Sequence, residues 1–121
     1  MELKILPFAL TVCKLPDAGS FDPRRSFCFF ANPGEEISLV CRTEDAPPVT
    51  LAREDGWRAF RVAGPLDFSL TGILSGLSGI LAEQGVGIFA VSTYDTDYIL
   101  VKEENLARAA EALAGVGHTV V

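Results

Sequence analysis

From Trp57 to the end of the chain, apolar residues recur with a period of two, then 3.6, then two twice over, then 3.6 and two again. Trp57–Val62 alternates Trp57, Ala59 or Phe60, and Val62 with Arg58 and Arg61 and stops at Gly64-Pro65, as a strand with one wet face does. Asp67 and Ser69 are N-cap residue types, and Ile73, Leu74, Leu77, Ile80 and Leu81 follow on one helical face that Gly85 closes. Two β-rich runs, Val86–Thr93 and Tyr98–Val101, flank the polar turn Tyr94–Asp97 and predict a hairpin. Leu106, Ala109, Ala110 and Leu113 then mark a second helix ended by Gly115 and Gly117, and His118–Val121 a last strand. The order β-α-β-β-α-β is the split βαβ, ferredoxin-like unit of the α+β class.

The first half reads as the same order with both helices worn down. Ile5–Leu15 predicts one buried strand, Pro16–Arg25 an irregular loop with room for a helical turn, and Ser26–Phe30 with Ile37–Arg42 a hairpin turning at Pro33-Gly34. Glu44–Pro48 is at most a turn, and Val49–Arg53 a further short strand. The expected organisation is two ferredoxin-like subdomains, residues 1–55 with reduced helices and residues 56–121 with full ones.

The chain has 121 residues, 49% of them hydrophobic, and a mean hydropathy of +0.30, which supplies enough material for a core. Ten Lys and Arg against sixteen Asp and Glu give a formal charge of -6, a field that repels phosphate backbones and anionic lipid, so nucleic acid is not an expected partner. No apolar run is long enough to span a bilayer, and the N-terminus lacks the pattern of a signal peptide. Cys13, Cys28 and Cys41 form no CxxC and no metal-ligand cluster; they read as small buried hydrophobes in a reducing cytoplasmic setting.

Chemistry concentrates in two segments of the second half. The loop from Gly64 to Gly72 leads into a helix N-terminus, where unpaired amides and the helix dipole favour a carboxylate, and Asp67 there is an acid able to hold an ammonium. An α-amino acid carries both charges. The alternative is that Asp67 and Ser69 only cap the helix. Ser92–Asp97 is dense in hydroxyls and acids, which suits either a ligand-facing loop or a solvated turn. Gly72, Gly76 and Gly79 form a stripe along the first helix, pointing to close packing within the chain, a subunit interface or clearance for a ligand. The single His118 has no nucleophile to serve, no GxSxG, Walker A or GxGxxG occurs, and no catalytic residue, metal or cofactor is expected.

The phrases DFSLTGIL, GVGIFAVSTYDTDYILV and EENLARAAEAL, spread over the last 65 or so residues, closely resemble ACT domains, above all small bacterial proteins with paired ACT units. They are also similar to the ACT units of aspartokinase regulatory domains and of eukaryotic cytosolic arginine sensors. The resemblance implies a non-catalytic regulatory fold that binds an amino acid at an interface between ACT units. By position, Asp67, Phe68, Ser69, Leu70, Thr71 and Gly72 would hold the charged backbone groups, while Ser92, Thr93, Tyr94, Asp95 and Asp97 would line the side-chain end. It further implies a cytoplasmic homodimer; the competing expectation is an interaction or structural module with no ligand, acting through homo- or hetero-oligomerisation. The family phrases are absent from the first half.

Overall fold

Eight strands and two helices carry the fold of this computed structural model, which describes residues 1–24, 27–67 and 71–121. They fall into two compact units: Phe8–Trp57, here the smaller unit, and Met1–Pro7 together with Arg58–Val121, the larger. The amino-terminal residues thus belong with the second half of the sequence.

In the smaller unit, β2 (Leu10–Lys14), β3 (Cys28–Ala31), β4 (Ser38–Arg42) and the first part of β5 (Ala52–Val62) lie in the order β3-β4-β2-β5, all antiparallel. That is the strand order of a ferredoxin-like fold, with both crossover helices reduced to 3-10 turns at Ala18–Ser20 and Thr43–Asp45. Its core is thin: Cys13, Leu15, Phe21, Leu39 and Cys41 are buried, with Cys28, Ile37 and Ala46 packed against them.

Two expectations change here. Ile5–Leu15 is two strands, because Pro7 removes a ladder donor and the chain breaks between β1 (Glu2–Ile5) and β2. Conversely, Val49–Arg53 and Trp57–Val62 are not separate: β5 runs unbroken through Asp55-Gly56. Gly56 takes φ +82°, and the pairing with β2 jumps from Leu10↔Trp57 to Val12↔Glu54, so one extra residue is absorbed as a bulge instead of ending the strand. Asp55 fixes the bulge, its Oδ1 accepting from the buried Thr11 hydroxyl at 2.6 Å and from Arg53 Nε at 2.9 Å.

The larger unit uses the rest of β5, α1 (Ile73–Glu83), β6 (Phe89–Ser92), β7 (Asp97–Lys102), α2 (Leu106–Gly115) and β8 (Thr119–Val120). Its order is β6-β7-β5-β1-β8, so β1 takes the place beside β5 that the last strand of a ferredoxin-like unit would fill. β1 is antiparallel to β5, with Leu3 opposite Val62, and parallel to β8, with Leu3 opposite Val120. Leu77 and Leu81 of α1 and Ala109 and Leu113 of α2 pack with Leu3, Phe60, Val62, Ile99 and Val101 in one core. The four helix residues are apolar positions of the helical periodicity, and burying each leucine among them is worth about 1.5–3 kcal/mol. Among the described residues no helix is long and apolar enough to cross a membrane.

Candidate functional site

The helix α1 begins later than its cap-type residues suggest. Its N-cap is Gly72, at φ +77° and without a side-chain capping bond, and the first amide bonded back within the helix is Gly76 N–H, to Gly72 O at 2.8 Å. Asp67 therefore lies five residues ahead of the cap and does not cap the helix; Ser69, like Phe68 and Leu70, lies outside the described residues. Glycine suits this place because the left-handed conformation strains any residue with a Cβ. The amides that precede Gly76 have no intrahelical acceptor and carry the positive end of the helix dipole.

The β6–β7 hairpin is held against the segment leading to this helix. Thr93 N–H donates to Thr96 O at 2.8 Å and closes the turn, and the Thr93 hydroxyl donates to the same oxygen at 3.0 Å. Thr96, 3% exposed, donates its hydroxyl to Val62 O at 2.6 Å, while Leu66 N–H donates to Asp95 O at 2.6 Å. Gly64 permits this approach: a Cβ there would stand 3.0 Å from Asp95 O and 3.2 Å from the Thr96 Cβ.

Between the hairpin and the start of α1 is a cleft of about 280 Å³. The structure brings to it Asp67, Gly72, Ser92, Thr93, Tyr94, Asp95 and Asp97 from the two candidate segments; Thr71 is exposed and does not line it. Leu66 and Thr96, which lie within those two segments, also line it, and the first three residues of α1 are added. Thr96 belongs to the hydroxyl-rich run that marks the hairpin, whereas Ile73 and Leu74 read only as core positions.

The charge of the cleft is one-sided. Asp67, Asp95 and Asp97 contribute carboxyl groups, and no Lys, Arg or His is among the described lining residues. The Ser92 hydroxyl donates to Asp97 Oδ1 at 2.6 Å, which fixes that carboxylate across the mouth of the hairpin. Tyr94 stands at the rim, 81% exposed. One wall is thus a helix start offering amides and the other a set of acids and hydroxyls, a pairing suited to a zwitterion or a cation. No group of His, Cys, Asp and Glu that could hold a metal occurs among the described residues.

The glycine stripe faces open space. Among the described residues a Cβ at Gly76 or Gly79 would meet nothing within 4 Å, so of the three readings of the stripe, close packing within the chain is not the one seen.

Known proteins give the same picture of the fold. The sequence is 30% identical over 138 residues to the bovine (Bos taurus) cytosolic arginine sensor for mTORC1 subunit 1, covering 94% of this chain and 42% of that protein. The chain thus spans less than half of that relative. A solved protein from Agobacterium tumefaciens superposes with a TM-score of 0.85 at 32% identity, over 99% of this chain and 91% of that one. Aspartokinase, solved as its alpha and beta subunits, superposes with a TM-score of 0.62 at 11% identity, over 95% of this chain and 96% of that one, a likeness of fold alone. The ACT domain profile matches residues 52–115, more than half of the chain, and the chain belongs to the ACT domain family.

Proposed function

We propose that the protein is a regulatory module without catalytic activity of its own, and that it binds an amino acid in the cleft between the start of α1 and the β6–β7 hairpin. The observation that carries this reading is the pairing of a helix start at Gly72, which has no side-chain cap, with Asp95 and Asp97 on the facing hairpin and Asp67 on the segment before the helix. The amides receive the α-carboxylate. Asp97, held by Ser92, and Asp67 take the ammonium group, and the surplus of acid favours an amino acid with a second, basic group. The bovine relative's name, that of an arginine sensor, supports the same ligand class. The cleft is open on its solvent side, and a second ACT unit in a cytoplasmic homodimer would close it.

Ligand binding then acts by differential affinity: the amino acid shifts assembly or partner binding by the free energy with which it prefers one state. A thermal-shift screen of the purified protein against the twenty amino acids tests the reading. A ligand at a hundred times its Kd adds about 2.7 kcal/mol to native stability. A selective rise for basic amino acids that disappears in both Asp67→Ala and Asp97→Ala is the expected result. A flat screen at millimolar concentrations rejects it and favours a ligand-free interaction module, for which the exposed glycine face of α1 speaks.

A further inference from the structure

The three cysteines, scattered in sequence, meet in the smaller unit. Cys28 on β3 and Cys41 on β4 are directly opposed in the antiparallel register, and Cys41 is opposed on its other side by Thr11 of β2. Directly opposed residues of an antiparallel pair share a face and have Cα atoms roughly 4.5–5.5 Å apart. That span lies inside the roughly 4.4–6.8 Å range in which disulfides form. Cys13 is opposed by Leu39, which makes it a diagonal neighbour of Cys41, at a Cα distance of about 7–8 Å that is beyond the usual reach.

Accessibility separates the two partners. Cys41 is fully buried, whereas Cys28 is half-buried and its thiol makes a weak contact, 3.7 Å to Pro23 O. Among the described residues β3 is the edge of its sheet, paired with β4 alone.

We propose that Cys28 and Cys41 are a cross-strand redox pair that a peroxide closes to a disulfide, stapling the edge strand β3 to β4. The Cys28 sulfur attacks one oxygen of the peroxide; an S–O bond forms, the O–O bond breaks, and the other oxygen leaves with a proton as water. The Cys41 sulfur then attacks the resulting sulfenic sulfur, an S–S bond forms, the S–O bond breaks, and hydroxide leaves with the second thiol proton as water. Two thiols are oxidised and one peroxide is reduced to two waters. Burial pushes the Cys41 thiol up to about 12, with the charges of Cys13, Asp45 and Cys28 adding to it, and burial raises Cys28 also. The thiols therefore rest in the protonated, slowly reacting form, and closure answers an excess of oxidant.

The test uses the full chain, reduced, desalted and exposed to hydrogen peroxide, then alkylated and unfolded for thiol counting, intact mass and peptide mapping. The expected result is a fall from three free thiols to one, a mass lower by two hydrogens and a linked peptide joining Cys28 to Cys41. A melting temperature higher by about 5–10 °C accompanies it, reversed by a dithiol reductant. Cys28→Ser, at a half-exposed position, keeps its remaining thiols free under the same treatment, while Cys13→Ser oxidises like the parent. A linked peptide containing Cys13, chains linked to one another on a non-reducing gel, oxygen added to cysteine without loss of hydrogen, or three thiols surviving a large excess of peroxide would each overturn the proposal.

Discussion

The two units share an order of strands and differ at the first crossover. In the smaller unit the chain after β2 makes a single 3-10 turn, and Asp17 occupies its amide end: its Oδ1 accepts from Gly19 N–H at 2.9 Å and from the Ser20 hydroxyl at 3.1 Å. In the larger unit the corresponding connection becomes an eleven-residue helix whose cap is a glycine with no side chain to offer. One helix start is capped by a carboxylate of its own turn, and the other begins at a residue with no side chain to cap it. A shared sheet order therefore does not make two equivalent sites; the length of the helix and the identity of its cap decide which unit can receive an anion.

The same contrast runs through the cores. The larger unit packs two helices over its sheet, with Phe60 at the centre, whereas the smaller unit covers its sheet with turns and fills the space with Leu39, Phe21 and cysteines. Phe60→Ala is expected to cost about 3–5 kcal/mol, the largest single effect, because a fully buried ring leaves a large cavity in the core to which both helices contribute. Leu39→Ala is expected to cost less than Phe60→Ala within the usual range of about 2–5 kcal/mol, since turns can settle over the gap. Denaturant titration of both variants checks the order. An inverted order would show the thin layer to be the more rigid of the two.

Exchanging the caps sharpens the comparison further. Gly72→Asp gives α1 the kind of cap that Asp17 provides; it carries a backbone cost of about 1–2 kcal/mol for a Cβ in the left-handed region, offset in part by the cap itself. Its carboxylate then competes for the amides, so stabilisation by the amino acid, about 2.7 kcal/mol at a hundred times Kd, should vanish while the fold persists. Asp17→Ala is the reciprocal change and should cost about 1 kcal/mol with no effect on ligand binding. Thermal melts with and without ligand measure both. Retained ligand stabilisation in Gly72→Asp would place the bound carboxylate elsewhere.

Much of the larger unit was legible because its signals are local. The positions Leu77, Leu81, Ala109 and Leu113 announce buried helix faces by spacing, and the polar run from Ser92 to Asp97 announces a hairpin. What escaped depends on contacts distant in sequence. Nothing in Glu2–Ile5 says that it will lie between β5 and β8 instead of continuing into β2, since an apolar strand pairs with whichever edge the rest of the fold leaves open. The bulge at Gly56 escaped for a related reason: a Gly in a β-rich run marks a break or a bulge equally well, and only the register of β2 decides. In the cleft, Asp67 and Ser69 looked like caps by type, yet the helix waits for Gly72. A pattern of cap residues gives no count of how many loop residues the turn before the helix will use.

The smallest expected effect concerns the glycine stripe, another feature of α1 without a counterpart in the smaller unit. Gly76 and Gly79 are exposed, and a Cβ at either meets nothing within 4 Å, so in the isolated chain an alanine should only relieve the backbone entropy that glycine loses in a helix. Gly76→Ala should then raise stability by about 0.8–1 kcal/mol. The sign of that change carries the information. If a second copy packs its backbone closely on this face, the added methyl pushes the two helices apart, and stability falls with a change in assembly mass measured by light scattering. A gain in stability with unchanged mass would assign the stripe to clearance beside the cleft and not to an interface, and would leave Gly72 as the glycine of α1 with a structural duty of its own.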